Sequence, residues 1–193
     1  MASPKDFIEL LALFRVGLAV GLIDKSEVTK WADGIIMSEE EPDLFFIDLS
    51  LAKSKNEAIS IISENVEAGT PINWKAVLGL LQQRMAEGQE LKFIVKAMYH
   101  LLDEAELSEL ERDYIYTIED FFEMANTKVY GSLDSIRQQT ADFLSLYKDY
   151  TLANHPDWPE LDKQANTGLE QMHRAAIERH EKEQRKPWWK KLW

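Results

Sequence analysis

Between Leu91 and Leu102 the apolar residues fall at Leu91, Ile94, Val95, Met98, Leu101 and Leu102, a stripe of helical spacing. No stretch of the chain shows convincing strand alternation. Start and stop signals repeat the helical message. Ser3, Pro4 and Asp6 open a first helix running to about Gly21, and Asp24 with Glu27 caps a second carrying Val28, Trp31, Ala32, Ile35 and Ile36. Leu44 to Leu51 fits a helix or a strand by pattern alone; Pro42 in a first turn and helical neighbours favour helix. Ser54 and Glu57 cap a fourth helix ending at Gly69, and Thr70, Pro71 and Asn73 open a fifth, Trp74 to Met85, closed by Gly88. After the break at Tyr130, Gly131 and Ser132, Leu133, Ile136, Phe143, Leu144, Tyr147 and Thr151 predict one long helix. A loop over Asn154 to Pro159 precedes a last helix with Leu161, Ala165, Leu169, Met172 and Ala176 on one side. The expectation is an all-α fold, a single-domain bundle or array of about eight to nine helices followed by a basic, Trp-rich tail.

A chain of 193 residues, 45% hydrophobic, is long enough for one sizeable core. The apolar opening from Phe7 to Ile23 is interrupted by Glu9 and Arg15 and reads as a buried helix rather than a membrane span. From Glu178 to Lys186 there is no apolar residue, which divides the chain into an acidic helical domain, 1–177, and a projecting helix end with its tail, 178–193. Residues 166–193 carry seven basic and four acidic side chains, so against the net charge of −12 the first 165 residues stand at −15. Such a body repels nucleic-acid phosphates and attracts cationic proteins. The absence of cysteine removes disulfides and thiolate chemistry and is compatible with the cytoplasm.

The acidity is patterned. Glu106, Glu109, Asp113, Tyr116, Asp120 and Glu123 follow a 3,4,3,4,3 spacing that lines them along one side of a helix, opposite Leu107, Leu110, Tyr114, Ile118, Phe121, Phe122 and Ala125. Like charges at this spacing each cost the helix roughly 0.2–0.5 kcal/mol, a loss that invites a function. Tyr116 offers a flat anchor among carboxylates able to pair with Arg or Lys. The acidic turn Glu39, Glu40, Glu41 joins these as a candidate partner-binding segment.

Chemical motifs are weak by comparison. Glu170 and His173 have the spacing of half a di-iron site, but His100, His155 and His180 lack a glutamate three residues earlier. Neither a Gly-x-Ser-x-Gly elbow nor a phosphate-binding glycine loop is present. The sequence therefore predicts no catalytic residue, cofactor or metal, and no direct contact with nucleic acid. In the tail, Arg185, Lys186, Pro187, Trp188, Trp189, Lys190, Lys191, Leu192 and Trp193 mix cations with indoles. Three readings stay open for it: docking on the chain's own acidic face or plain disorder, contact with a partner, or contact with a membrane surface.

Gly21-Leu-Ile-Asp-Lys-Ser-Glu-Val-Thr-Lys-Trp-Ala-Asp33, followed by Glu41-Pro-Asp-Leu-Phe-Phe-Ile-Asp-Leu-Ser-Leu51, resembles a bacterial family known as a domain of unknown function. The resemblance covers about the first third of the chain and brings no catalytic residues. Small acidic bacterial proteins of this sort are also similar to immunity proteins, an analogy at the level of fold. These readings lead to an expected function: a cytoplasmic immunity protein that neutralises a cognate basic toxin domain, such as a nuclease, through its acidic helices. The alternative is a membrane-peripheral or scaffold protein anchored by the Trp/Lys tail.

Overall fold

In a computed structural model, which describes residues 2–104 and 106–184, nine α-helices and three short 3-10 turns account for the regular structure, with no strand among the described residues. The helices are α1 (Ile8–Val20), α2 (Lys25–Ser38), α3 (Leu44–Leu51), α4 (Lys55–Asn65), α5 (Trp74–Ala86), α6 (Leu91–Glu104), α7 (Glu109–Asn126), α8 (Leu133–Leu144) and α9 (Trp158–Gln184). The all-α array expected from the periodicity is what the chain forms.

Local chemistry sets most boundaries. Ser3 and Asp6 make a reciprocal capping box, but it opens the 3-10 turn Pro4–Phe7 rather than α1 itself. Asp24 and Glu27 make the same box at α2, while Asp43, Ser54 and Asn73 each accept a backbone N–H at the starts of α3, α4 and α5. Other boundaries differ from the sequence reading: the expected loop Asn154 to Pro159 holds the 3-10 turn His155–Asp157 and the start of α9 at Trp158. α4 ends at Asn65 with Val66 extended, ahead of Gly69, and the stretch after Leu133 stops being an α-helix at Leu144. There the chain tightens into the 3-10 turn Ser145–Tyr147 and presses Tyr147 and Tyr150 against α5. A longer helix would carry those rings away from the core.

Packing runs in two layers. In the first α2 lies on α3, α3 on α4 and α4 on α1; in the second α5 packs on α6, α8 and the Ser145–Tyr147 turn, α6, α7 and α8 follow one another, and α9 is laid over the two later 3-10 turns and α7. In α5 the six consecutive residues Ala76 to Leu81 are all buried, as expected of a helix surrounded by protein. Phe7, Phe14, Trp31, Phe45 and Phe46 interlock edge to face in the first layer. Tyr114, Phe143, Tyr147 and Tyr150 form the corresponding cluster in the second. Arg84 ties α5 to the first layer, donating through Nε to the Leu22 carbonyl at 2.9 Å and pairing with Glu27 and Glu87.

Gly79 is where α5 meets the Tyr147 turn. A β-carbon there would sit 2.6 Å from the Tyr147 carbonyl oxygen and 2.7 Å from the Tyr150 Cβ. Alanine would otherwise gain about 1 kcal/mol of helix propensity, but backbone on the other side leaves it no room. Gly79→Ala is expected to destabilise the fold by about 1–3 kcal/mol; urea unfolding that shows a gain would mean the turn yields freely.

Candidate functional site

α7 carries the acidic stripe, with a later start than its spacing implied. Ser108 is the N-cap, so Glu106 and Leu107 lie in the preceding loop and the helical ladder begins at Glu109. Glu106 instead borders a small recess with Asn73, Lys75 and Asp162. Glu109, Asp113, Tyr116 and Asp120 are exposed along α7. Among the described residues no cation pairs with the carboxylates of Glu109, Asp113 or Asp120. Glu123 differs, because Lys96 on α6 reaches both it, at 2.8 Å, and Glu119, at 3.0 Å. Those two hydrogen bonds, the one to Glu123 foremost, hold the Lys96 ammonium above its ordinary pKa.

Tyr116 stands in the middle, 48% exposed, with its ring edge-on to Tyr99 of α6 at 5.9 Å between centroids. A neighbour ring that limits its motion lowers the ordering cost of using it as an anchor. Glu39, Glu40 and Glu41 fall in the connection between α2 and α3, whose principal packing partners belong to the first layer. The ladder belongs to the second layer, with α6, α8 and α9 as the chief neighbours of α7. Glu39 is engaged by another group and is no free carboxylate, whereas Glu40, Glu41, Glu109, Asp113 and Asp120 stand open to solvent.

At its far end the stripe meets apolar surface that the sequence reading treated only as a break. The Val129 N–H donates to the Met124 carbonyl at 2.9 Å and the Lys128 N–H to Ala125 at 3.1 Å, a Schellman closure with Lys128 at φ 58° where glycine is usual. This closure holds out Val129, 76% exposed, and Tyr130, 68% exposed, beside the half-exposed Met124 and Leu133. Met124 in the last turn of α7, Val129 and Tyr130 in the connection and Leu133 at the start of α8 thus expose four large apolar side chains within ten residues. The face from Glu109 to Met124 is about 22 Å long at 1.5 Å per residue.

On the inner side of α7 lies Glu111, which the ladder pattern passed over. It is 1% exposed, and its Oε2 accepts from the Ser108 N–H at 2.8 Å and the Ser108 hydroxyl at 2.7 Å. Its Oε1 accepts from the Tyr147 hydroxyl at 2.9 Å. Nearby, the Tyr150 hydroxyl donates to Asp162 Oδ1 at 2.6 Å, and Asn73 donates to the same carboxylate. Burial first, and then the carboxylate each one faces, push both phenols well above the usual tyrosine range. The folded chain therefore keeps two protons that the unfolded chain releases above about pH 10. Stability from this source is complete below pH 10 and lost as pH rises beyond it, at about 1.4 kcal/mol per pH unit for each tyrosine. Urea unfolding between pH 10 and 11 should show stability falling with pH, and Tyr150→Phe should make that fall shallower.

No histidine, aspartate or glutamate group of three or more is placed to hold a metal among the described residues, and Glu170 is paired with Arg174 at 3.3 Å. The tail from Arg185 to Trp193 lies outside the described residues. No helix of the described residues is long and apolar enough to cross a membrane. The fold and surface thus define a class: an all-α protein with an acidic helical face, an aromatic group at its centre and an apolar turn at its end. Comparison of the chain with protein families, curated proteins and solved structures finds no match.

Proposed function

We propose that this chain is an immunity protein, acting in the cytoplasm by binding a basic toxin domain, such as a nuclease, and blocking its substrate groove without chemistry of its own. The observation that supports the reading is the open set of Glu109, Asp113 and Asp120 around Tyr116, exposed carboxylates without a cation among the described residues. Cationic groove residues that bind nucleic-acid phosphate are chemically suited to the same carboxylates. Complementary charge accelerates encounter, while Tyr116 and the Met124, Val129, Tyr130 turn supply desolvated contact that slows release.

The test is the triple variant Glu109→Lys, Asp113→Lys, Asp120→Lys, compared with the wild-type chain for capture of a basic protein and for protection of cells that express the captured protein. Wild type should release that protein at moderate salt. The variant should associate about 10–1,000-fold more slowly and give no protection. Equal protection by the two chains would remove α7 from the interface.

A further inference from the structure

A second surface, between α6 and the helices α1 and α5, is different in character. α1, α5 and α6 enclose a cleft of about 610 Å³ walled by Leu13, Val16, Val20, Val77, Leu81 and Phe93, among other apolar groups. That volume is within the range of small-molecule sites, which run roughly 300–1,000 Å³. At about 30 Å³ for a water-sized group it takes a chain of a dozen methylenes with a headgroup.

The polar side chains lining it are few and of one kind. Lys92, Lys96 and His100 recur every fourth residue along α6, and Trp74 adds an indole; among the described residues no carboxylate lines the cleft of this strongly acidic protein. Ammonium and indole groups only donate hydrogen bonds, and the imidazole supplies one more donor. Lys96 is committed to Glu119 and Glu123, but Lys92 and His100 are exposed and have no polar side-chain partner among the described residues. Apolar walls with an unpaired ammonium and an imidazole at the rim fit a ligand that is long, apolar and anionic at one end.

We infer that the α1–α5–α6 cleft binds a free long-chain carboxylate, its acyl chain between α1 and α5 and its headgroup at Lys92 and His100. The cleft shares no lining residue with Glu109, Asp113, Tyr116 or Asp120, and it touches the α7 stripe only through the pairing of Lys96 with Glu123.

Titration calorimetry of the full chain with octanoate, decanoate and dodecanoate tests it. Affinity should rise about fourfold per added methylene, the equivalent of 0.8 kcal/mol each. Dodecyltrimethylammonium, with the same tail and a cationic head, should bind at least tenfold more weakly than dodecanoate. Lys92→Gln with His100→Gln, both at exposed positions, should erase that preference, and Ala97→Trp should fill the cleft and abolish binding while the melting temperature stays within a few degrees. Absence of dodecanoate binding, equal binding of the two headgroups, or binding untouched by Ala97→Trp overturns the assignment. So does a concentration-dependent dimer that Ala97→Trp dissociates, which would give the cleft to a second copy.

Discussion

Glu111→Ala is expected to lower the unfolding free energy by about 3–5 kcal/mol, more than the loss of any single exposed acid on the same helix. The carboxylate accepts three hydrogen bonds at 2.7–2.9 Å in a site 1% open to solvent. Charged acceptors contribute about 1.5–3 kcal/mol per bond, and a capping box about 1 kcal/mol. Alanine would also leave the Tyr147 hydroxyl buried without an acceptor, at a further cost of about 1–3 kcal/mol if no water enters. Tyr147→Phe removes the donor instead and should cost about 1–3 kcal/mol. Because the two residues share one bond, the double variant should lose clearly less than the sum of the singles in urea unfolding. Strict additivity would mean the buried bond contributes nothing.

Trp158→Ala should have an effect of comparable size, about 3–5 kcal/mol. Trp158 is 1% exposed at the first residue of α9, its indole N–H donates to the Thr151 carbonyl at 3.2 Å, and the His155 ring lies edge-on at 6.2 Å. It is among the largest fully buried side chains described. Farther along, α9 contributes Ala165 and Leu169 to the core, while Glu178, Arg179, Glu181 and Lys182 are exposed. The indole therefore anchors a long helix by its first turn. Hydrogen exchange in the variant should show α9 losing protection ahead of α1 and α5. A Trp158→Ala chain as stable as wild type would mean that α9 is held elsewhere.

The elements that periodicity and capping identified correctly are those whose determinants are local. Asp24 with Glu27, Ser54 with Glu57 and the Leu91 to Leu102 stripe act within one or two turns, and the corresponding helices form where they point. The divergences come from distant neighbours. Leu144 to Thr151 continues a helical pattern, yet the chain turns there because Gly79, far away in sequence, opens room for the Tyr147 backbone. Glu111 was hidden by a pattern that counted acids on the outer side; Ser108-x-x-Glu111 is a capping box in the sequence, and Glu111 falls at the centre of the apolar face between Leu107 and Ile118. An acid in that position signals a buried partner. The partner itself, Tyr147, is not legible without the fold. Likewise, Val129 and Tyr130 look like ordinary turn residues until the Schellman closure shows them held outward.

Because α5 is buried along Ala76 to Leu81, is tied to the first layer through Arg84 and belongs to one core cluster that spans both layers, neither half of the chain owns a finished interior. A cut in the connection between α4 and α5 would leave the first fragment without the wall that covers α1 and without the Arg84 tie to Leu22. The second fragment would expose the apolar side of α5. Two such fragments, expressed separately, would each stay unstructured and regain helicity only on mixing, so that complementation between them could report a binding event at the α7 face.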